Sequence, residues 1–420
     1  MRLLHADGQT VHVAYCTNVH PGEDLDTIIG QLDRFALPVR RHLGADLLGL
    51  GLWLSAPVAR GLADDPRQTD RLRAALDARG LEVVTLNGFP YRGFQDEVVK
   101  HRVYHPDWTE PARLAYTTDL TEVLARLLPD DAARGSISTL PLGWRHPWFG
   151  DRQVLAAEQF DRLADHLHAL RERTGREIRV GVEPEPGCVI ETTTELVDRM
   201  AGWDEDVLGV CLDLCHLAVG FEVAAVAVPR LAEAGRRVVK AQVSAALHVE
   251  HPADDATREA LGAFDEDRFL HQTRALGQPG HPGHPGQPGQ PGQPGQPGQP
   301  GEHGPLRARD DLGDALGGAR PLDPSPGGTE RPWRVHFHVP LGQAPEPPLA
   351  ATTADLRHSL EVLVGGDTAL TDHLEVETYT WTVLPEAVRP NDDAALAVSI
   401  AGELAWLRDA LIDLGLKEPV

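Results

Sequence analysis

The sequence predicts a closed (β/α)8 TIM barrel of the α/β class, interrupted late in the chain by a long insertion. Three observations carry that expectation. Short Val/Leu-rich runs alternate with stretches whose apolar residues recur every three or four positions, and the alternation repeats through eight β/α units. No G-x-G-x-x-G follows the first run, so the fingerprint of an open dinucleotide-binding sheet is missing. Several runs also end in carboxylates, histidines or amides, residue types that collect at the C-terminal mouth of such a barrel. A chain of 420 residues accommodates one large barrel with insertions.

The first strand is read at residues 11–18. Residues 24–43 follow with Ile28, Leu32, Phe35 and Val39 on one helical face, and Pro38 as a point where the helix kinks or ends. A second strand covers 47–54, and a helix over 69–79 closes on Gly80, the usual C-cap residue. The pattern continues with strand 81–87, helix 114–128, strand 136–140 and helix 153–173. Strand 178–183, helix 193–200, strand 210–216, helix 223–234 and strand 237–243 complete seven units. The eighth is assembled from a helix over 353–363, strand 374–379 and a closing helix over 393–414.

The domain reading is therefore one barrel in two pieces. Residues 1–246 hold strands one to seven, 247–332 form the insertion, and 333–420 supply an extra strand at 333–340, strand eight and the closing helix. Inside the insertion, residues 277–301 carry glycine at every third position as Gly-Gln-Pro or Gly-His-Pro. In a globular chain a short tract of this kind reads as a disordered, polyproline-like spacer. His281 and His284 within it read as drift from Gln, because histidines in a flexible tract fix no ligand geometry. Residues 265–274 and 310–316 are expected to hold local structure.

Composition narrows the function classes. A formal charge of −24 opposes a nonspecific grip on nucleic acid, which draws on Lys/Arg clusters. No stretch approaches the roughly 20 apolar residues of a membrane span. The start of the chain shows no signal-peptide core, so a cytoplasmic location is expected. The four cysteines, Cys16, Cys188, Cys211 and Cys215, form no C-x-x-C pair and are expected to be reduced.

Side chains alternate across a strand, so the polar positions can be sorted by face. Cys211, Asp213 and Cys215 share one face of the sixth strand, followed by His216, while Gly181, Glu183 and Glu185 share one face of the fifth. Lys240, Gln242 and Ser244 line up on the seventh, and Glu375, Glu377 and Tyr379 on the eighth. Asn18 and Asn87 end the first and third strands, and the extra strand places His336 and His338 together. A parallel strand buried on both faces should be continuously apolar, so Asp213 needs a partner. Carboxylates and imidazoles on separate rigid strands suit a divalent ion such as Mn²⁺, Zn²⁺ or Mg²⁺. Each residue also has a plainer reading: Asp213 as a helix cap, His216 as a satisfied core histidine, Lys240 as an ion-pair partner of Glu183. It is the convergence of polar groups on four otherwise apolar strands that favours a site.

Gly181-Val182-Glu183-Pro184-Glu185, Asp213-Leu214-Cys215-His216 and Glu377 together resemble the xylose-isomerase-like barrel superfamily, which holds sugar isomerases, epimerases and the endonuclease IV type of DNA-repair nuclease. More narrowly, Tyr15-Cys16-Thr17-Asn18-Val19-His20, Lys240-Ala241-Gln242-Val243-Ser244, Phe269-Leu270-His271-Gln272, residues 335–340 and Thr378-Tyr379-Thr380-Trp381 resemble the EboE family, described as metabolite traffic proteins of secondary-metabolite clusters. The resemblance implies Glu183, Asp213 and Glu377 as metal ligands, with His216 a ligand of a second ion or a substrate contact. The chain departs from the superfamily at strand seven, where Gln242 stands in place of a histidine. An amide oxygen is a poorer Zn²⁺ ligand than imidazole, and His336 or His338 can supply the nitrogen instead.

The expected function is a metal-dependent isomerase or epimerase acting on a small metabolite. Glu183, Glu377 and His216 are the catalytic candidates, and Asn18, Asn87, Lys240, Gln242 and Tyr379 the substrate contacts. Glu183, Asp213, His216, Gln242, His336, His338 and Glu377 are the candidate ligands. Alternatives are a non-catalytic metabolite carrier, an endonuclease IV type phosphodiesterase, and a Schiff-base enzyme using Lys240. Expected partners are the metabolite and proteins of the same biosynthetic cluster, with no nucleic acid.

Overall fold

The computed structural model describes residues 1–277, 304–317, 322 and 331–419. Its strands are β1 (Arg2–Leu4), β2 (Thr10–Cys16), β3 (Leu48–Trp53), β4 (Leu81–Asn87), β5 (Gly135–Thr139), β6 (Ile178–Val182) and β7 (Leu208–Asp213). They continue with β8 (Val238–Val243), β9 (Ala245–Val249), β10 (Thr273–Gly277), β11 (Gly304–Arg309), β12 (Trp333–Val339), β13 (Ala350–Ala351) and β14 (His373–Val376).

Eight of these close into a parallel barrel in the order β2-β3-β4-β5-β6-β7-β8-β14. The ring is completed where β14 pairs β2, with Leu374 opposite Val13, and where β2 pairs β3, with Ala14 opposite Gly49. The strands are buried almost throughout, as continuous Val/Leu runs require when helices cover one face and the barrel interior the other. The expected (β/α)8 class is therefore what forms, with its long insertion after the seventh barrel strand, β8.

That insertion leads into a second sheet. β9 begins two residues after β8 and pairs antiparallel with β12 and β13, in the order β11-β10-β12-β9-β13. The extra strand expected at 333–340 is β12, and its neighbours are β9 and β10 rather than barrel strands. The β12–β9 register slips between Val335 and His338, so His336 and Phe337 form a bulge. Bulges commonly re-aim side chains next to functional sites. Gly277 ends β10. The rest of the Gly-Pro tract, with His281 and His284, lies outside the described residues.

Several local expectations are corrected. Cys215 and His216 do not continue the sixth barrel strand: β7 stops at Asp213, whose carboxylate accepts from His216 N–H at 2.9 Å and caps a helix over Leu214–Val219. Residues 25–43 stay helical past Pro38: a π-helical turn over Leu32–Ala36, with Leu37 N–H on Leu32 O, precedes the proline, which sits in the first turn of the helix Leu37–Leu43, where its missing N–H is tolerated. A further helix, Ala56–Asp64, precedes the expected one, which runs over Pro66–Asp77. Asn18 and Tyr379 sit in short 3-10 turns just beyond their strands. Among the described residues, no helix is long and apolar enough to cross a membrane.

Candidate functional site

The barrel interior below the mouth is sealed by charge. Lys240 and Glu375 side chains are fully buried and form an ion pair. Burial alone would lower the Lys240 ammonium pKa, but the Glu375 charge outweighs it and holds the pKa above its ordinary value. Gly51 on β3 makes room for this pair, since a Cβ there would fall 1.5 Å from Glu375 Oε1. Lys240 therefore pairs with Glu375 and not with Glu183. It is also absent from the pocket lining, and the Glu375 charge favours its cationic form over the neutral amine that a Schiff base needs.

Above that pair, β6, β7, β8 and β14 deliver four polar side chains to one point. Gln242 Nε2 donates to Glu183 Oε1 at 3.0 Å, to Asp213 Oδ2 at 3.3 Å and to Glu377 Oε2. The other oxygen of Glu377 accepts from Asn18 Nδ2 at 2.6 Å and from Asn87 Nδ2 at 2.9 Å. Glu183 Oε2 is buried without a hydrogen-bond partner. Glu183, Asp213 and Glu377 each place one oxygen within 4.8 Å of the others. Burial first, and then the neighbouring carboxylates, push the Glu183 and Glu377 carboxyls well above their ordinary range. Burial would raise Asp213 too, but the imidazoles of His216 and His338, with the donors His216 N–H and Ser244 O–H, hold it below.

A second cluster adjoins the first through Asp213. Asp213, His216 and His338 place one ligand atom each within 4.8 Å of one another, and so do Glu185, His216 and His336. The hydrogen bonds of these rings fix their tautomers. His216 Nδ1 lies 2.8 Å from Pro184 O and His338 Nδ1 2.6 Å from Glu377 O; a carbonyl only accepts, so both Nδ1 atoms carry hydrogen. His336 Nδ1 lies 2.7 Å from Gln272 Oε1. The Gln272 amide is oriented by its nitrogen, which donates to Pro186 O at 2.9 Å and to the Tyr104 hydroxyl (Oη) at 2.8 Å, so His336 Nδ1 also carries hydrogen.

All three Nε2 atoms are then left as lone pairs. His216 Nε2 and His336 Nε2 stand 2.9 Å apart, and His338 Nε2 is buried without a partner. Two facing lone pairs at that distance call for a cation, either a proton or a metal ion. Nδ1 committed to a carbonyl with Nε2 directed inward is how metal-binding histidines are held. Burial, then the neighbouring imidazoles, lowers the His336 pKa far below its usual value; His338 is lowered to about 4, again chiefly by burial. The donor set thus fits a divalent ion at the histidine cluster. The carboxylate cluster is satisfied in part by the Gln242 amide.

A pocket opens over both clusters. Glu183, Glu185, His216, His336, His338 and Glu377 form its floor, and Asn18, Asn87 and Tyr379 reach it from the sides. Asp213 and Gln242 lie behind this lining. The space between its walls is about 510 Å³, part of it open to solvent. Three contributors were not among the expected site residues: Glu185, Tyr104 and Gln272. Glu185 had a signal in its alternation with Glu183. Gln272 ends the run Phe269-Leu270-His271-Gln272, but its role depends on a contact 64 residues away.

With fold and site in view, sequence comparison decides the family. The model of the xylose isomerase-like TIM barrel family matches residues 40–281, more than half of the chain. This chain belongs to that family. Among solved structures, it is similar to a xylose isomerase domain protein of Alicyclobacillus acidocaldarius, at 12% identity over 96% of this chain and 99% of that one, with a TM-score of 0.45. It is also similar to a xylose isomerase-like TIM barrel protein of Mycobacterium smegmatis in complex with magnesium, at 14% identity over 59% and 79%, with a TM-score of 0.42. A third is the 3-keto-D-glucoside 4-epimerase of E. coli, at 15% identity over 55% and 79%, with a TM-score of 0.35. No curated protein matches the sequence.

Proposed function

We propose that this member of the xylose isomerase-like TIM barrel family is a metal-dependent isomerase or epimerase of the EboE kind, acting on a small secondary metabolite. The observation that carries the reading is the set of three imidazoles with Nδ1 committed to carbonyl oxygens and Nε2 left free beside Asp213 and Glu185. His216, His336 and His338 with Asp213 are the favoured ligands of one ion. Glu183, Asp213 and Glu377, with the Gln242 amide, are the candidates for a second. A divalent ion bound there supplies a positive charge that polarises a carbonyl or hydroxyl oxygen.

The chain's own residues account for the proton handling. Glu183 lines the pocket with Oε2 unpartnered, so it can accept a proton from a bound molecule. Glu377, whose carboxyl is held up by burial, can return one, and Asn18 and Asn87 fix its orientation from one side. Asn87 and Tyr379 at the pocket wall are the groups suited to hydroxyls of the bound molecule. The test is metal content of the natively purified protein together with mass spectrometry of co-purifying small molecules. A stoichiometric divalent ion supports the reading, and its absence removes the foundation.

A second reading is a carrier that holds the metabolite without changing it, for partner proteins of the same cluster. It is favoured by Gln242, whose amide nitrogen reaches one oxygen of each of the three carboxylates without an ion, although Glu183 Oε2 stays unpartnered. Metal-free protein that binds its ligand as tightly as metal-loaded protein would favour the carrier.

A further inference from the structure

Above the polar floor, the pocket wall is aromatic. Phe94, Phe269 and Tyr379 contact one another, with ring centroids 5.2 Å apart for Phe94–Phe269, 5.5 Å for Phe94–Tyr379 and 4.8 Å for Phe269–Tyr379. Phe89 and Tyr104 form a second pair at 6.2 Å. The wall joins two separate parts of the chain. Phe89, Phe94 and Tyr104 follow β4, whereas Phe269 and Leu270 come from the insertion. The two parts are clasped: Val99 N–H and Lys100 N–H both donate to Arg268 O, at 2.7 and 2.9 Å.

Charge at this mouth is as informative as the rings. Among the described residues, Lys100 is the one Lys or Arg side chain lining the pocket. Its ammonium is engaged by Asp311 Oδ2 at 2.5 Å and by Glu266 O at 3.1 Å, both in the insertion. A phosphate carried at the far end of a substrate draws on cationic, charge-assisted donors, and the one Lys or Arg that the described residues bring to this mouth is committed elsewhere. Flat rings, by contrast, offer stacking and edge contacts to a flat apolar body.

We infer that the pocket takes a non-phosphorylated molecule with a flat apolar body and two neighbouring oxygen atoms at one end, the body in the aromatic wall and the oxygens on the floor. The placement of the oxygens rests on the metal-dependent reading above; the apolar body and the missing phosphate do not. A free sugar phosphate is the substrate class this excludes.

The experiment is calorimetric titration of the full chain with 4-nitrocatechol and with D-fructose 6-phosphate, each without metal and with Mn²⁺. 4-Nitrocatechol is expected to bind at least about tenfold more tightly than the sugar phosphate, and Phe269→Ala to weaken it by about tenfold. Phe94→Leu, a milder change, gives the same direction if Phe269→Ala fails to fold. Asp311→Asn keeps an oxygen for His271 N–H and Leu312 N–H but releases Lys100, and should tighten D-fructose 6-phosphate. Equal or tighter binding of the sugar phosphate by the unmodified chain, or 4-nitrocatechol binding indifferent to both Phe variants, would overturn the inference. If binding stays Phe269-dependent but is the same with and without Mn²⁺, the inference stands for the apolar body and the metal reading fails.

Discussion

His216 Nε2 faces His336 Nε2 at 2.9 Å, and the opposite nitrogen of each ring is held as a donor by a carbonyl oxygen. Neither ring can turn its Nε2 into a donor without becoming a cation or giving up a hydrogen bond made in a buried setting. The pair is therefore a built demand for positive charge. Glu185 Oε2, 3.1 Å from His216 Nε2, adds to that demand.

Gln272 orients His336 from behind, without itself lining the pocket. Gln272→Ala removes the carbonyl that fixes the His336 tautomer. Loss of such an outer partner typically weakens metal binding by about 10- to 100-fold. Calorimetry with Zn²⁺ or Mn²⁺ reads this directly, and unchanged affinity would show that His336 is not a ligand.

Gln242→Leu takes away the N–H donor shared by Glu183, Asp213 and Glu377. Three buried carboxyls then lose a common partner, and the metal-free protein should lose about 2–4 kcal/mol of stability. Urea unfolding measures the loss.

Lys240→Met leaves Glu375 as an unpaired buried charge, which costs about 3–5 kcal/mol. The double change Lys240→Met with Glu375→Leu removes both charges and should recover most of it. Gly51 lies against Glu375 Oε1, so the added volume of the leucine is the limit on that recovery. Thermal melts of the two variants separate the ion pair from the packing.

Glu403, on the closing helix Asp393–Asp413, is buried with its carboxyl pushed up to about 7, chiefly by burial. It accepts from Leu341 N–H, Thr378 O–H and Trp381 Nε1–H, joining the segments that follow His338 and Glu377. An acid whose folded value lies above its unfolded one favours the folded state less as pH rises from the unfolded value through the folded value. Between pH 4.5 and about 7 the cost grows to on the order of 3 kcal/mol. Glu403→Gln does not titrate, so its melting temperature should fall less than that of the unmodified chain between pH 5 and 8.

The barrel was legible because its strands are buried on both faces, which writes Val/Leu runs, and because its helices bury one face, which writes a spacing of three or four. Glu183, Asp213, Glu377 and the two histidines of β12 stood out for the complementary reason, as polar groups in apolar runs. The helix Leu214–Val219 was hidden because all six of its residues are buried, so it carries no amphipathic period and reads as more strand. The partner of Lys240 depends on how β14 registers against β8, with Glu375 opposite Gln242, and no local pattern encodes that. Gln272 was obscure for a similar reason: it meets His336 only through pairing between β10 and β12, across the length of the insertion.

The proposed metal centre is a divalent ion held by Asp213 and the imidazoles of His216, His336 and His338. Its most direct test is the melting temperature of chelator-treated protein as Mn²⁺ or Zn²⁺ is added, for the unmodified chain and for Asp213→Asn. A ligand that binds only the folded state at about 100 times its Kd stabilises it by about 2.7 kcal/mol. A saturable rise is expected in the unmodified chain, and Asp213→Asn should abolish it. A melting temperature indifferent to both metals, or a rise of equal size in Asp213→Asn, would contradict it.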